Sequence, residues 1–405
     1  MADIIEAVTR IEPCFIEAVS PETTDVVAMI ASASTELGNR VHPKTATSLR
    51  FLVRLMNSFY SNLIEGHKTH PRDIERALTG EAHPGAEGVP DNASRRDLLT
   101  EAINHIRVQE LIDTDKALVE GRRQPTSQEF IKYLHREFYR HAPPEHLRIQ
   151  HGATSFTMVP GEYRTEAEHD VVVGRHLPPS SQRVVAFMER FEERYKLDPT
   201  RQGVQILAMA AAHHRLNYIH PFPDGNGRVS RLMSHAMARQ AGIGAHGLWS
   251  ISRGLARGLE SRGDYKLLMD HADMPRQGDL DGRGNLSLKA LVAFTDWFLR
   301  VCLDQIRFMG SLFDFVTLER RLADYVIRQG LRPEARDVLH HLLLRGEMPR
   351  GDAPRVSGLK ERTARQLVSE LVANGIVRSD TPKSELYLNF TVQAVEVLFP
   401  ALFSE

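Results

Sequence analysis

Apolar residues recur at the spacing of an α-helix through most of this 405-residue chain, and this periodicity constrains the fold more than any other feature. The clearest case runs from Lys44 to Glu65, with Thr45 or Thr47 as the expected helix cap. One face of that segment carries Leu49, Leu52, Val53, Met56, Phe59, Tyr60 and Leu63. Similar patterns predict helices over Arg96–Glu120, Ser127–Arg140, Ser180–Tyr195, Pro199–Asn217 and Asn226–Gln240, with one or two more in Ala290–Ile327. The chain is therefore expected to be mainly α-helical.

Two stretches interrupt the helical pattern. Residues Gly80–Asn92 are rich in glycine and proline and are predicted to form a loop. Between Ile149 and Pro179 the chain contains Gly152, Pro160, Gly161 and Gly174, together with the apolar triplet Val171-Val172-Val173. That pattern favours a short β-hairpin over a helix. A buried core strand is the alternative interpretation of the three valines.

The pattern changes again from Pro333 onward. It predicts a helix at Pro333–Arg345, a turn rich in glycine and proline, a second helix at Lys360–Asn374, and two short strands at 375–377 and 386–388. This order is typical of a winged-helix domain. The predicted domains are therefore an N-terminal helical region (1–110), a central core with its following helices (111–328) and a winged helix (329–405).

Composition is that of an ordinary globular protein, with 42% hydrophobic and 25% charged residues. The formal net charge of −1 does not indicate binding to nucleic acid or to a membrane surface. The longest apolar region, Leu291–Leu303, is too short to span a bilayer, and the N-terminal residues do not resemble a secretory signal. Because two cysteines, Cys14 and Cys302, cannot form a disulfide framework, a cytoplasmic location is expected.

The stretch from Ile219 to Arg231 combines several groups that suit phosphate chemistry. Its residues are Ile219, His220, Pro221, Phe222, Pro223, Asp224, Gly225, Asn226, Gly227, Arg228, Val229, Ser230 and Arg231. The central Gly-Asn-Gly can direct successive backbone N–H groups into one concavity, and a helix is predicted to begin there. Arginines at 228 and 231 can donate to phosphate oxygens, and the carboxylate at 224 suits Mg²⁺. The histidine at 220 can accept a proton from an attacking hydroxyl group.

This combination predicts phosphoryl or nucleotidyl transfer. The plain alternative is a Gly/Asn turn between two helices, with solvated arginines. The segment matches every constrained position of the pattern H-x-F-x-[D/E]-G-N-G-R-x-x-R, and on this basis the chain resembles the Fic family of protein adenylyltransferases (AMPylation enzymes).

The resemblance implies specific roles. His220 is expected to be the general base and Asp224 the Mg²⁺ ligand. Gly225, Asn226 and Gly227, followed by Arg228, Val229, Ser230 and Arg231, are expected to bind ATP. A glycine at 227 resembles the family members in which ATP binds with its α-phosphate in line, rather than those that phosphorylate their targets. The implied substrates are Mg-ATP and a Ser, Thr or Tyr hydroxyl of a target protein; the sequence does not identify the target, and the chain itself is one alternative.

Two further segments resemble parts of the same family. Val171, Val172, Val173 and Gly174 are similar to its flap, whose strand edge pairs with a target segment by β-augmentation and lies against the nucleotide. Tyr265 resembles a tyrosine that contacts the nucleotide. Eight positions later, many members have asparagine where this chain has Asp273, and this departure concerns the contacts to adenine and ribose.

Ser61 and Glu65 lie four residues apart in the first long helix, so their side chains share one face, and Gly66 is expected to end that helix. By itself this pattern is common for a solvated glutamate before a helix-ending glycine. The segment nevertheless resembles the inhibitory motif [S/T]-x-x-x-E-[G/N] of self-inhibited Fic enzymes. The resemblance implies that Glu65 pairs with Arg231, removes the clamp of the γ-phosphate and misaligns ATP. Some family members use this glutamate to remove AMP instead, and the sequence leaves both roles open.

Three alternatives concern other segments. His213 and His214 are expected to support the helices and the loop rather than to bind a metal ion. The winged helix carries Lys360, Arg362 and Arg365 at the start of its second helix, but nearby carboxylates nearly cancel their charge. DNA and protein partners, including a second copy in a homodimer, both remain open. The competing function for the whole chain is therefore a DNA-binding regulator whose Fic core senses a nucleotide.

Overall fold

The computed structural model describes residues 6–67, 69–79, 93–151 and 154–403. In the first half of these residues the helices are α1 (Pro21–Gly38), α2 (Pro43–Ile64), α3 (Pro71–Thr79), α4 (Ala93–Thr114), α5 (Lys116–Val119), α6 (Gln128–Tyr139) and α7 (Val184–Tyr195). In the second half they are α8 (Gln202–Ile219), α9 (Asn226–Gln240), α10 (Ser252–Arg257), α11 (Asp264–Ala272), α12 (Leu288–Leu312), α13 (Phe315–Arg328), α14 (Ala335–Arg345), α15 (Ala353–Ser357), α16 (Glu361–Asn374) and α17 (Val392–Leu398). The mainly helical fold is confirmed, whereas the loop predicted at 80–92 lies outside the described residues.

Helix α2 begins at Pro43, before either predicted cap. Pro43 occupies its first turn, and the backbone N–H of Lys44 donates to His42 Nδ1 at 3.2 Å. The prediction that Thr45 or Thr47 caps the helix is therefore wrong, because the fixed φ of proline already favours a helix start. At the other end the helix stops at Ile64, and Gly66 has a φ of +85°, as expected for the residue that ends a helix.

Helix α8 is enclosed by other helices. It packs against α7, α9 and α12, and residues on all its sides are buried. Four of its buried positions are alanines, which allow neighbouring helices to approach closely: Ala208, Ala210, Ala211 and Ala212. A helix that is buried all round fixes its C-terminal end firmly. The phosphate-type loop begins at that end.

The regular β-hairpin lies upstream of the predicted flap residues. Strand β1 (Arg148–His151) pairs antiparallel with β2 (Thr154–Thr157), with Ile149 opposite Phe156. The segment 171–174 forms no regular strand, and only an isolated bridge joins Val173 to His176 around Gly174. Pro178 and Pro179 follow directly and lack the N–H groups that a longer ladder requires. Val172 is 63% exposed, which also rules out a buried core strand.

The C-terminal region contains its helices and strands in the predicted order. Strand β3 (Glu347–Met348) follows α14, and β4 (Val377–Arg378) and β5 (Leu386–Leu388) follow α16, in the sheet order β3-β5-β4. The strand predicted at 375–377 begins later than expected, because Gly375 (φ +84°) ends α16. The predicted turn contains β3, a 3-10 helix and α15. The winged-helix assignment and the domain boundaries stay predictions.

This C-terminal region packs along helix α2. Ser48 Oγ donates to the carbonyl oxygen of Leu388 at 2.7 Å, and Tyr60 Oη donates to that of Leu402 at 3.3 Å. Leu55 and Val392 belong to one buried apolar cluster. Helix α2 therefore contacts elements that are far away in sequence.

None of the described helices combines the length and the apolar composition needed to cross a bilayer.

Candidate active site

The loop between α8 and α9 begins with a strained residue. His220 has φ 52° and ψ 60°, the left-handed conformation that non-glycine residues rarely adopt. Two residues later Phe222 is fully buried, and its ring stacks on that of His135 with 3.9 Å between the ring centroids. The buried phenyl ring anchors the loop to α6, so the strained histidine is held in place from its C-terminal side.

Asn226 closes the loop through both ends of its side-chain amide. Its Oδ1 accepts from the backbone N–H of Phe222 at 2.9 Å, and its Nδ2 donates to the carbonyl oxygen of Phe222 at 2.8 Å. Asn226 is 2% exposed and is also the first residue of α9. The amide therefore shapes the loop, and only the backbone of Asn226 belongs to the helix N-terminus that attracts anions.

Gly225 precedes this helix with a φ of +81°. A Cβ atom at this position would lie 2.8 Å from Tyr139 Oη. Gly227 lies on the first turn of α9, and a Cβ atom there would lie 2.6 Å from Glu65 Oε1. A neighbouring side chain thus approaches both glycines closely, and at Gly225 the positive φ favours glycine as well.

Arg164 is a buried residue that supports the strained histidine. Its Nε donates to the carbonyl oxygen of His220 at 2.7 Å, and its Nη2 donates to that of Ile219 at 3.1 Å. The same guanidinium also donates to the carbonyl oxygen of Pro179 and to Ser181 Oγ. One side chain thus connects the end of α8 to the segment that follows the turn at Gly174.

The imidazole of His220 is arranged to remain neutral. Enclosure by the core, and then the positive charge of Arg164, lower its pKa to about 4. Nδ1 lies 3.4 Å from the carbonyl oxygen of Asn217, a contact in which Nδ1 is the donor. In that tautomer Nε2 is the unprotonated nitrogen and can accept a proton.

Arg231, on the second turn of α9, is bound by the end of α2. Its Nη2 donates to Glu65 Oε1 at 2.7 Å, and its Nε donates to Ser61 Oγ at 3.0 Å. The Arg231 side chain is 1% exposed and that of Glu65 is 32% exposed. Partial burial works against ionisation of Glu65, but Arg231 and then Arg228 outweigh it and lower the pKa of the carboxyl group. The contact expected between Glu65 and Arg231 is therefore present in the structure.

Asp224 and Arg228 form a second ionic group beside the loop. Tyr139 Oη donates to Asp224 Oδ2 at 2.6 Å, and Arg228 Nη2 donates to the same oxygen at 3.2 Å. On its other side Arg228 Nη1 lies 2.7 Å from Glu101 Oε2 on α4. Its guanidinium also lies over the ring of Phe138, 5.2 Å from the ring centroid.

A cavity of about 450 Å³ lies against this loop. Its lining includes seven of the predicted site residues: Glu65, Val173, Gly174, His220, Gly227, Arg231 and Tyr265. The other predicted positions lie beside the cavity or turn away from it: Ser61, Val171, Val172, Asp224, Gly225, Asn226, Arg228, Val229 and Ser230. Val229 and Ser230 have fully buried side chains, because they lie on the core side of α9.

The wall opposite the loop comes from α8 and α11. Tyr265 lines the cavity, and its hydroxyl group lies 2.8 Å from Nε2 of the buried His213. Asp273 lines it as well, with Oδ1 3.1 Å from Nε2 of His214 and Oδ2 3.5 Å from Nδ1 of His176. Both histidines of α8 thus support this wall.

Sequence reasoning missed three residues that shape the site: Arg164, Tyr139 and Glu101. Arg164 lies in a segment without periodicity, and Tyr139 and Glu101 lie on helices where a polar residue is normally assigned to the solvent face. The only sequence feature that could have marked Tyr139 is the need for glycine at 225, which implies a bulky neighbour.

Comparisons with known proteins agree with this geometry. Residues 125–238 match the model of the Fic/DOC family. This segment includes α6, the hairpin, α7, α8 and the loop, and it ends within α9. The chain thus carries a Fic/DOC-family domain. The match excludes α2 and the whole C-terminal region.

Curated relatives match over part of their length. The chain is 32% identical over 146 residues to "Protein adenylyltransferase Fic" of Drosophila mojavensis, which covers 36% of this chain and 23% of the relative. It is 38% identical over 82 residues to the protein of the same name from Drosophila melanogaster, covering 20% of this chain and 16% of that relative. The chain therefore spans less than a quarter of these relatives.

Solved structures show the same fold. A Fic family protein from Desulfovibrio desulfuricans aligns with a TM-score of 0.50 and 16% identity, covering 93% of this chain and 98% of the other. A Fic domain-containing signaling protein from Bacteroides thetaiotaomicron aligns with a TM-score of 0.50 and 18% identity, covering 71% and 96%.

Proposed function

We propose that this chain transfers AMP from Mg-ATP to a hydroxyl group of a protein, and that Glu65 restrains the transfer. The observation that carries the proposal is the shared cavity. The neutral imidazole of His220, the N-terminal turn of α9 at Gly227 and the guanidinium of Arg231 all line it. The matched relatives are named protein adenylyltransferases, which supports the same chemistry.

The transfer step follows from these positions. Nε2 of His220 accepts the proton of the target hydroxyl group, and the hydroxyl oxygen attacks the α-phosphorus. A phosphoester bond forms, the bond from the α-phosphorus to the bridging oxygen breaks, and pyrophosphate leaves. The positive end of α9 and the guanidinium of Arg231 stabilise the negative charge on the phosphates.

Asp224 fits a role as the Mg²⁺ ligand. Its carboxylate is 45% exposed, and Mg²⁺ usually combines one or two carboxylates with phosphate oxygens and water. Bound there, the ion would neutralise charge on the polyphosphate. Tyr139 holds the carboxylate through its hydroxyl group and so fixes its orientation.

Glu65 is suited to restrain this reaction because it pairs with Arg231, the side chain that we expect to bind a phosphate group of ATP. Its carboxylate takes a donor of Arg231 and lies against Gly227, where negative charge from ATP would otherwise bind. ATP that binds beside Glu65 would be shifted from the position needed for attack on its α-phosphorus. An error of about 1 Å in the position of a reacting group can lower the rate about 10²-fold.

The test uses the full chain with ATP labelled at the α-phosphate, Mg²⁺ and a cell lysate. Glu65→Gly should incorporate far more label than the wild type, and Glu65→Gly combined with His220→Ala should incorporate none. ATP labelled at the γ-phosphate is the matched control, because AMP transfer leaves that label in pyrophosphate. Label from the γ-phosphate on protein would instead indicate a kinase.

Three other results would count against the proposal. Equal incorporation by the wild type and Glu65→Gly would refute the restraint. Histidine-independent incorporation would refute the role of His220. A shift in DNA mobility without any labelling would support the regulator hypothesis.

A further inference from the structure

Arg228, like Arg231, lies against a carboxylate of a preceding helix, but a different one. Glu101 Oε2 on α4 lies 2.7 Å from Arg228 Nη1, while Asp224 takes a hydrogen bond from Nη2. The Arg228 side chain is 6% exposed and that of Glu101 is 17% exposed. Arg228 is not among the described residues that line the 450 Å³ cavity, although Gly227 and Arg231 beside it are.

The end of α2 reaches the same carboxylate. His67 Nδ1 lies 3.3 Å from Glu101 Oε2, the oxygen that also faces Arg228. The backbone N–H of His67 donates to the carbonyl oxygen of Asn62 at 2.9 Å, so His67 is tied to the last turn of α2. Only Gly66 separates it from Glu65. A movement of the last turn of α2 would therefore carry both Glu65 and His67.

We infer that Glu101 is a second restraining carboxylate, which holds Arg228 away from the nucleotide while Glu65 holds Arg231, and that His67 couples the two contacts. The inference rests on the proposed function, because it concerns the same nucleotide site. Its physical basis is that both guanidiniums beside the α9 N-terminus are neutralised by carboxylates of the preceding helices. Each must exchange that partner for a phosphate oxygen.

His67 explains why the two exchanges are linked. While it lies against Glu101, it covers the carboxylate and limits its motion. Once His67 leaves, water can reach Glu101, and screening weakens its attraction for Arg228. Withdrawal of α2 thus loosens both arginines, although Glu65 itself contacts only Arg231 of the two.

The first experiment measures binding, so that it does not depend on transfer. Calorimetry with Mg²⁺ and α,β-methylene-ATP, whose α–β linkage cannot be cleaved in the transfer step, compares the full-length wild type with Glu101→Gln. Loss of one charge-assisted contact to Arg228 should tighten binding about tenfold. Glu193→Gln is the matched control, since it removes a carboxylate from a surface pair with Arg190 on α7, and it should bind like the wild type.

A second variant guards against a folding defect in Glu101→Gln. His67→Ala changes a side chain that is 35% exposed and should tighten binding about threefold, as expected for a weak, partly solvated pair. In the double variant Glu65→Gly with Glu101→Gln, affinity for the ATP analogue should rise by less than the product of the two single increases. The reason is that Glu65→Gly already loosens His67.

Wild-type or weaker affinity in a folded Glu101→Gln would overturn the inference, because Glu101 would then position Arg228 for binding. If Glu101→Gln does not fold, unchanged affinity in His67→Ala would overturn it. If the gain in affinity of the double variant equals the product of the gains of the single variants, the coupling through His67 would be overturned. If Glu101→Gln binds the analogue more tightly but no variant incorporates AMP, the inference stands and the proposed transferase activity fails.

Discussion

Replacement of Arg164 should lower both the stability of the protein and the rate of AMP transfer. The side chain is fully buried, and it donates to three backbone carbonyls, those of His220, Ile219 and Pro179. Arg164→Ala leaves these acceptors without that donor. At about 1 to 1.5 kcal/mol for each lost hydrogen bond, the free energy of unfolding should fall by about 3 to 5 kcal/mol.

The catalytic effect follows from the conformation of His220. Its left-handed backbone costs on the order of 1 to 3 kcal/mol and persists only where neighbours hold it. Without Arg164 the peptide after Ile219 can relax, which moves the imidazole away from the cavity. In a Glu65→Gly background, Arg164→Ala should lower AMP incorporation at least about 10²-fold, while ATP binding through Arg231 falls much less.

Urea denaturation and labelled-ATP incorporation measure the two effects. Arg164→Lys keeps the charge but cannot reach several carbonyls at once, so it should lose most of the stability and the activity. Arg201→Lys, on the surface at the start of α8, is the matched control and should match the parent. Wild-type stability in Arg164→Ala would refute this reasoning, as would Arg164→Lys with full activity.

Two further predictions concern His220 and Gly225. Because the pKa of His220 is lowered to about 4, its imidazole stays neutral when the pH falls below 6.5, the usual pKa of histidine. AMP incorporation by Glu65→Gly should therefore not decline between pH 7.5 and about 5.5 through protonation of His220. A decline centred near pH 6.5 would contradict the assignment of His220 as the base. The same lowered pKa means that acid favours the unfolded chain, so the stability owed to His220 is present above pH 6.5 and is lost as the pH falls from 6.5 towards 4. Gly225→Ala should lower the midpoint of thermal unfolding more than Gly174→Ala does. Both glycines have a positive φ, but only the new Cβ atom at 225 would meet another residue, Tyr139 Oη at 2.8 Å. Equal decreases in the two midpoints would show that the contact with Tyr139 does not matter.

The sequence predicted the local features of this fold well. The bounds of α9, Asn226–Gln240, and the end of α2 before Gly66 follow from periodicity and from glycine conformation, which are properties of a few neighbouring residues. The contact between Glu65 and Arg231, by contrast, came only from the family resemblance, because 166 positions separate the two residues and no local pattern connects them.

The errors have a common physical cause. The three valines at 171–173 have high β-propensity, but the regular ladder formed at 148–157 because pairing depends on the partner strand. Arg164 and Glu101 could not be assigned, because their partners in the loop lie 56 and 127 positions away. A polar residue is recognised as functional only when the fold shows which groups face it.

The packing of α2 against the C-terminal region sets the order in which the protein can assemble during its synthesis. Leu55 emerges from the ribosome early, but Val392, which belongs to the same apolar cluster, emerges more than three hundred residues later. The segment from α6 to α9 contains the cavity loop and is complete long before then. Because domains fold as their residues become available, the nascent chain should pass through a stage in which the nucleotide loop exists but the helix bearing Glu65 is not fully seated. Ribosome-bound chains that stop before Val392 would then be the least restrained form of this protein.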